Sequence, residues 1–294
     1  MVFLKSFTLP TLKEEEDHAR RFWPNGNDHP AAYPYGIFPY KQLRRIECAE
    51  VTILCGGNGS GKTTLLNLIA VKLGLPRITP FNRSPHFDEY VRLMCEAESS
   101  HTHGLAPGSA IYTSDDVFYG LIDRRVTNEE TDTRREAAQA AYYAERRKDY
   151  AGDQAYRSLD DYDALVRRVE VRHKTMSRYV SAHAGELATP DSNGQYALRF
   201  FEDHFSDGAL ILLDEPENSL SPKYQLRLLK LIEDYARFYD CQFILSTHSP
   251  FFMSMKGAAL YDLDEIPVSR RAWWELESMQ EYYRLFSSFR DKFE

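Results

Sequence analysis

A glycine-rich loop followed by lysine and threonine is the most chemically specific feature of this 294-residue sequence. The loop follows the apolar run Val51 to Leu54 and precedes apolar residues at helical spacing from Leu65 onward. Glycines let successive backbone N–H groups turn inward around a phosphate, and the positive end of the following helix adds to the attraction. The lysine reaches phosphate oxygens and the threonine hydroxyl binds Mg²⁺. We therefore predict a nucleotide-binding loop made of Gly56, Gly57, Asn58, Gly59, Ser60, Gly61, Lys62, Thr63 and Thr64.

Two adjacent carboxylates end a second apolar run. Ala209 to Leu213 has the composition of a buried strand, and Asp214 and Glu215 follow it. In a parallel sheet this strand delivers its last residue to the edge where the glycine loop also lies. Asp214 is then expected to hold Mg²⁺ through water, and Glu215 to orient or deprotonate an attacking water. Two acidic residues after a strand can also simply begin a loop, but the upstream glycine loop favours the magnesium site.

A histidine follows a third apolar run. His248 comes after the segment from Cys241 to Ser246, and the apolar spacing between Pro222 and Tyr239 predicts a crossover helix before it. This connection returns the chain to the same sheet edge. We predict that His248 lies beside the terminal phosphate, although a histidine at the end of a strand is often structural.

These elements predict an α/β fold with a mostly parallel sheet flanked by helices. Residues 1–75 and 186–294 are expected to form the core, and residues 76–185 a helical insertion subdomain. Within it, residues 117–183 lack proline and are rich in Arg, Glu, Ala and Tyr, which indicates two or three helices with a break near residues 151–153. The insertion has two interpretations: a docking arm for a partner or nucleic acid, and a solvated helical subdomain.

Composition restricts the function. The formal net charge of -8 argues against a protein that mainly coats nucleic acid, although a local basic patch remains possible. No apolar run reaches the ~18 residues of a membrane span. The four cysteines are far apart in the sequence, which favours reduced thiols and a cytoplasmic location.

Taken together, these residues resemble the ABC ATPase superfamily, within it the soluble branch related to SMC heads and RecF, also described as AAA-family or OLD-like ATPases. Gly56 to Thr63 matches the Walker A motif, and Leu210 to Glu215 matches Walker B with its catalytic glutamate. Glu217 to Pro222 resembles the D-loop, and His248 resembles the switch histidine. The resemblance implies a P-loop NTPase fold, ATP and Mg²⁺ as cofactors, and ATP hydrolysis.

The family's signature motif, Ser-x-Gly-Gln/Glu at the start of a helix before Walker B, is matched by Ser192, Gly194 and Gln195. The segment from Ser181 to Glu186 is an alternative, but it lacks Ser-x-Gly. In the family this segment binds the ATP held by a second subunit, so the resemblance implies a homodimer that forms on ATP binding.

Two other family features have weaker counterparts. The Q-loop glutamine is missing near residues 110–116, so either Asp115 substitutes as a magnesium ligand or the function is lost. The aromatic residue that stacks on adenine could be Phe38 or Tyr40, although ordinary packing explains either of them.

Two functional hypotheses follow. In the first, ATP hydrolysis controls a protein effector or a nucleic-acid-processing system, as in bacterial (including antiviral) defence or repair. In the second, ATP holds an assembly together and turnover is slow. Intact Glu215 and His248 favour the first hypothesis, and the missing glutamine leaves room for the second.

Overall fold

The computed structural model of this chain describes residues 2–22, 33–100, 105–147, 160–185 and 192–292. Its contacts divide the chain into two units. Unit 1 consists of Met1–Phe118 and Ser192–Glu294, and unit 2 consists of Tyr119–Asp191. The residues predicted to contact nucleotide all belong to unit 1.

The strands of the described residues form two sheets in unit 1. In chain order they are β1 (Leu4–Thr8), β2 (Arg45–Glu47), β3 (Val51–Cys55), β4 (Glu96–Ser99), β5 (Ala110–Thr113), β6 (Leu210–Asp214), β7 (Gln242–Ser246), β8 (Ala259–Asp262) and β9 (Ser269–Arg270). The larger sheet has the order β5-β6-β7-β3-β8-β9, and the smaller one the order β2-β1-β4. All pairs of the larger sheet are parallel except β8 with β9. The carboxyl ends of β6, β7 and β3 therefore lie side by side at one edge.

The described residues contain helices in both units, and those of unit 1 cover the two faces of the larger sheet. In chain order the α-helices of both units are α1 (Leu12–Phe22), α2 (Ile37–Tyr40), α3 (Lys62–Leu73), α4 (Phe87–Met94), α5 (Ser114–Arg147), α6 (Asp160–His173), α7 (Met176–Ala184), α8 (Asn193–His204), α9 (Pro222–Phe238), α10 (Pro250–Met253) and α11 (Glu277–Ser288). None of the helices in the described residues is both long and apolar enough to cross a membrane.

Alternate residues of the central strands face different cores. On β6, Leu210 and Leu212 join the cluster that contains α3 and α4, whereas Ile211 and Leu213 join the cluster that contains α8, α9 and α10. Every residue of β3, β6 and β7 is buried, as expected for parallel strands covered on both faces. The predicted α/β fold, with a mostly parallel sheet flanked by helices, is confirmed.

The helical unit is shorter than the insertion expected at residues 76–185. Strand β5 pairs in parallel with β6, and Ile111 is buried in the same cluster as α3. Helix α4 packs its Phe87 and Tyr90 into that cluster as well. These elements belong to unit 1 because β5 is a strand of the larger sheet and α4 packs in the same apolar cluster as that strand.

Unit 2 has a small core of its own. It contains α5 from Tyr119 onward together with α6 and α7. Tyr142 is buried against Tyr179, with ring centroids 5.6 Å apart, and the cluster also includes Ala138, Val171, Val180 and Ala184. The break expected near residues 151–153 lies outside the described residues.

Candidate functional site

The glycine-rich loop connects β3 to α3 in a conformation that requires glycine. Gly56, Gly59 and Gly61 have φ values of 142°, 79° and 97°. A Cβ atom on Gly56 would lie 2.8 Å from Ser60 Oγ, so the loop is also too tight for a larger residue there. Within the described residues, no side chain caps the start of α3. The first N–H groups of this helix therefore point into the loop, as in an anion-binding site.

Lys62 is the first residue of α3 and closes this loop. Its side chain is only 4% exposed, and Nζ donates hydrogen bonds to the carbonyl oxygens of Gly56 at 2.9 Å and Gly57 at 3.0 Å. The ammonium group thus lies inside the ring of backbone atoms that we predicted from the sequence to surround a phosphate. A buried point charge at this position attracts an anion strongly.

Asp214 lies at the end of β6, beside Thr63. Its Oδ1 accepts hydrogen bonds from Thr63 Oγ1 at 3.0 Å and from Ser246 Oγ at 2.5 Å. Burial raises the pKa of Asp214, and the two hydroxyl donors partly oppose this shift. A threonine hydroxyl and one carboxylate, both oxygen donors, suit Mg²⁺, which retains water in the rest of its shell. These residues therefore fit the metal expected from the sequence.

Glu215 lies between Lys62 and His248. Its Oε1 is 3.9 Å from Lys62 Nζ and 3.4 Å from His248 Nε2. The latter distance permits an ion pair with a protonated imidazole, but the two groups are not aligned as a hydrogen bond. Asn218 Nδ2 donates to Glu215 Oε2 at 2.9 Å. Two candidate catalytic side chains from different strand ends thus meet beside the loop lysine.

The backbone of Glu215 is in the left-handed region, with φ 48°. Its N–H donates to the Ser246 carbonyl oxygen at 3.1 Å. Non-glycine residues in this conformation carry strain that tends to occur at functional sites. Here the strain turns the chain sharply after β6, and the Glu215 side chain points to the edge of the sheet.

The burial of Glu217 was not predicted from the sequence. Glu217 is 9% exposed, and its Oε1 accepts hydrogen bonds from Thr247 Oγ1 at 2.8 Å and from the backbone N–H of His248 at 2.6 Å. Burial raises the pKa of Glu217, and these two donors act in the opposite direction. The D-loop resemblance marked the residue, but a glutamate in a polar turn is normally exposed.

Asp264 is a second contact that the sequence analysis missed. It follows β8, and its Oδ2 accepts a hydrogen bond from Gly57 N at 2.5 Å. The same carboxylate lines a cavity of about 650 Å³ together with Gly56 and His248. Asp264 therefore fixes the first turn of the glycine loop. No sequence signal separates it from the neighbouring acidic residues Asp262 and Glu265.

Ser192, Gly194 and Gln195 lie at the start of α8. Ser192 Oγ accepts a hydrogen bond from Gln195 N at 3.3 Å, and Gln195 Oε1 accepts one from Ser192 N at 3.0 Å, which makes a capping box. A Cβ atom on Gly194 would lie 2.8 Å from Tyr224 Cδ2 of α9. The segment thus has the predicted helix start, and its three residues have structural roles. Of the alternative segment, Ser181 lies within α7, and Glu186 is outside the described residues.

A cavity of about 820 Å³ opens beside Thr63, Thr64 and Asp214. Asp115 is exposed on its wall, whereas the neighbouring Asp116 is buried and accepts hydrogen bonds from Thr113 N at 2.7 Å and Thr79 N at 2.8 Å. Asp115 is therefore accessible from the predicted magnesium position. The rest of the wall is mixed polar and aromatic, and includes Tyr33, Asn67, Arg77, Phe81 and Arg83.

The two aromatic residues suggested for adenine stacking differ in exposure. Phe38 is completely buried in the core with α3, so its ring is not available to a ligand, and Tyr40 is 69% exposed. Tyr33 instead lines the 820 Å³ cavity, and its hydroxyl donates to Thr64 Oγ1 at 2.9 Å. His101 and His103 have the spacing of two metal ligands, but the sequence offers no further ligands for them and indicates a loop. Both lie outside the described residues.

Comparison with known proteins identifies the family. A family model described as "AAA domain, putative AbiEii toxin, Type IV TA system" matches residues 107–254, half of the chain. The chain belongs to this family. The matched range includes Asp214, Glu215 and His248, whereas the glycine loop precedes it.

Solved structures give distant matches. One is described as "An inward-facing conformation of a putative metal-chelate type ABC transporter", at 17% identity and a TM-score of 0.38, with 84% of this chain and 85% of that chain covered. Another is a dimeric post-hydrolysis state of the ATP-binding cassette MJ0796 bound to ADP and phosphate, at 15% identity and a TM-score of 0.33, with 78% and 88% covered. No curated protein matched. The family match therefore identifies the chain as an AAA domain, in agreement with the AAA-family resemblance of the sequence.

Proposed function

We propose that this member of the AAA domain family binds ATP with Mg²⁺, hydrolyses it, and does so at sites shared between two copies of the chain. One observation supports the chemical part above all others. Glu215 Oε1 lies 3.9 Å from Lys62 Nζ and 3.4 Å from His248 Nε2. A base, a cation and a switchable hydrogen-bond donor in this arrangement suit phosphoryl transfer to water.

Each residue has a distinct chemical role in the proposal. Lys62 and the N–H groups at the start of α3 bind the β- and γ-phosphates, while Thr63 and Asp214 hold Mg²⁺. A magnesium ion held there would neutralise charge on the phosphate oxygens. Glu215 accepts a proton from water as the water oxygen bonds to the γ-phosphorus and the bond to the bridging oxygen breaks, giving ADP and phosphate. His248 donates a hydrogen bond to a γ-phosphate oxygen.

The nucleoside is proposed to enter the 820 Å³ cavity beside Thr64. Its wall offers the Tyr33 hydroxyl and the Phe81 ring. The Arg77 and Arg83 guanidinium groups lie 5.0 Å and 4.4 Å from the centroid of that ring. An aromatic ring with two cations close to it suits a nucleotide. Asp115, on the same wall, is proposed to act through a water of the magnesium shell.

The shared site depends on the segment at the start of α8. Ser192 caps this helix and is exposed, so its hydroxyl and the first turn of the helix are accessible to a second molecule. A helix start with a serine hydroxyl suits a phosphate that another copy holds. Two-fold symmetry would then complete two sites at once.

We further propose that the ATPase controls an effector in bacterial defence. The support is the description of the family, which names a toxin of a type IV toxin–antitoxin system. Identification of the proteins that copurify with the native chain tests this part directly.

Two variants test the ATPase itself. Glu215→Gln keeps the shape and removes the base, so ATP should still bind while turnover falls ~100-fold or more. Lys62→Ala should abolish the binding that isothermal titration detects for Mg·ATP. Glu233→Gln, an exposed change on α9, is the matched control. Wild-type turnover in Glu215→Gln, or unchanged affinity in Lys62→Ala, contradicts the proposal.

The second function is an ATP-dependent assembly module. It is supported by the missing Q-loop glutamine, since Asp115 lies on the cavity wall instead. In that case ATP assembles a complex and turnover is incidental. Single-turnover measurements separate the two functions: an ATPase converts the bound nucleotide within seconds to minutes, whereas an assembly module retains ATP in the dimer.

A further inference from the structure

Glu217 is a buried carboxylate at the edge of the candidate site. It lies in the single turn Pro216–Ser219, just after β6, yet both of its hydrogen-bond donors belong to the loop that follows β7. Its second oxygen, Oε2, is buried and has no hydrogen-bond partner among the described residues. Burying an ionised carboxylate costs folding free energy. If Glu217 served only to connect the two loops, a neutral hydrogen-bonding residue would do so at a lower cost in stability.

The turn that contains Glu217 is attached to both catalytic candidates. Glu217 Oε1 accepts the backbone N–H of His248 at 2.6 Å, and the adjacent Asn218 donates to Glu215 Oε2 at 2.9 Å. The side chains of these two residues approach each other elsewhere: His248 Nε2 lies 3.4 Å from Glu215 Oε1. A shift of this turn would therefore move the histidine and the base relative to each other.

We infer that Glu217 is the positioning residue for His248: it joins the turn after β6 to the switch histidine and so sets the distance between His248 and Glu215. This inference rests on the proposed ATPase function. Glu217 does not contact the reacting atoms in this arrangement and acts only through the backbone of His248.

Kinetics of single and double variants test the inference. Glu217→Ala should lower kcat roughly 10- to 100-fold, the scale expected for a misplaced catalytic group, with KM for ATP nearly unchanged. Glu217→Gln keeps one carbonyl acceptor for the His248 N–H and should recover most of that loss. In a His248→Ala background the Glu217→Ala change should cost less than about twofold, because residues that act through one another are not additive. Equal losses in both backgrounds overturn the inference.

A measurement that does not depend on turnover distinguishes a lost hydrogen bond from a misfolded variant. The His248 amide proton, selectively labelled and assigned with His248→Asn, should resonate at an unusually low field because of its short hydrogen bond to a carboxylate. Its resonance should move upfield in Glu217→Ala and shift less in Glu217→Gln. An unchanged resonance in Glu217→Ala overturns the inference.

Two controls separate this inference from the proposed function. Glu233→Ala removes an exposed carboxylate from α9 and should leave kcat unchanged. Turnover that survives Lys62→Ala means that the proposed function itself is wrong. If Lys62 is required but the Glu217 and His248 effects multiply, only the positioning role is wrong.

Discussion

The Thr63 hydroxyl donates a hydrogen bond to Asp214 Oδ1 across 3.0 Å. The two residues are far apart in the sequence. Thr63 lies in the first turn of α3, which the glycine loop connects to β3, and β7 alone separates β3 from β6, the strand that ends at Asp214. Parallel pairing places both strand ends at one edge, and each side chain then points at the other. The hydrogen bond joins two oxygen ligands that a magnesium ion would need close together.

Asp214→Asn should raise the unfolding temperature of the protein measured without nucleotide or metal. Burial raises the pKa of Asp214 above its ordinary value, so its ionised form at neutral pH costs folding free energy. The asparagine side chain keeps a carbonyl acceptor for Thr63 and Ser246 without that charge. The same variant should lose ~100-fold or more in magnesium-dependent turnover.

The pH dependence of this difference follows from the sign of the shift. The folded protein binds a proton at Asp214 more readily than the unfolded chain does, so wild-type stability falls as pH rises through the raised pKa. The gap in unfolding temperature between Asp214→Asn and wild type should therefore be largest near neutral pH and shrink as pH is lowered. Thermal scans across pH measure it, with the exposed Asp132→Asn as control. A gap that widens on acidification would contradict the argument.

Asp115→Ala should raise the magnesium concentration needed for half-maximal turnover severalfold, while the unfolding temperature stays within about 2 °C of wild type. Asp115 is exposed on the cavity wall near Asp214, so it can reach the metal shell but contributes little to packing. Asp132→Ala, on the same helix α5, should leave the magnesium titration unchanged. If both variants titrate like wild type, Asp115 has no role at the metal.

Tyr33→Phe should weaken nucleotide binding roughly 3- to 10-fold. The Tyr33 hydroxyl lines the cavity and donates to Thr64 Oγ1 at 2.9 Å, so in our proposal it can also bond to the nucleotide. One such hydrogen bond to a ligand contributes about 1 kcal/mol. Tyr40→Phe is the matched control, because that side chain is 69% exposed. Titration with ATP and with ADP gives both affinities. If Tyr40→Phe weakened binding more than Tyr33→Phe, the nucleoside would lie beside Tyr40, as the sequence suggested, and the proposed cavity would be wrong.

The strands and the phosphate loop could be predicted from the sequence because short-range patterns determine them. Val51 to Leu54 is continuously apolar and is followed by the glycines that a left-handed turn requires, so both the strand and the loop follow from local chemistry. His248 was predictable from the length of a crossover helix. Each of these inferences needs only neighbouring residues and the rule that parallel strands end at one edge.

Other contacts depend on tertiary packing that no local pattern records. Glu217 is buried because Thr247 and the His248 amide approach it from another strand end. Asp264 reaches Gly57 only after β8 has paired with β3. The boundary at Tyr119 was missed because β5 has only four residues, and its membership of the sheet depends on pairing with β6.

The start of α8 offers the sharpest test of the shared site. Gly194 is unsuitable for mutation, because an added Cβ would lie 2.8 Å from Tyr224 Cδ2 and disturb the packing of α8 on α9. Ser192→Asp avoids this problem, since aspartate caps a helix about as well as serine does. The change places a carboxylate where a second copy would present its γ-phosphate. Ser192→Thr, which keeps the hydroxyl, is the matched control.

Ser192→Asp should bind ATP as a monomer with wild-type affinity, but should neither dimerise on ATP binding nor hydrolyse ATP at more than about a tenth of the wild-type rate, since like charges repel across the interface. Lys62→Ala should be inactive because it cannot bind nucleotide. In a mixture of the two variants, the intact phosphate loop of the Ser192→Asp chain can face the intact α8 start of the Lys62→Ala chain. Each heterodimer then regains one site, so turnover should appear on mixing and depend on both concentrations. Sedimentation with Mg·ATP and steady-state turnover measure these outcomes, and a monomeric Ser192→Asp protein with the wild-type rate would rule out the shared site.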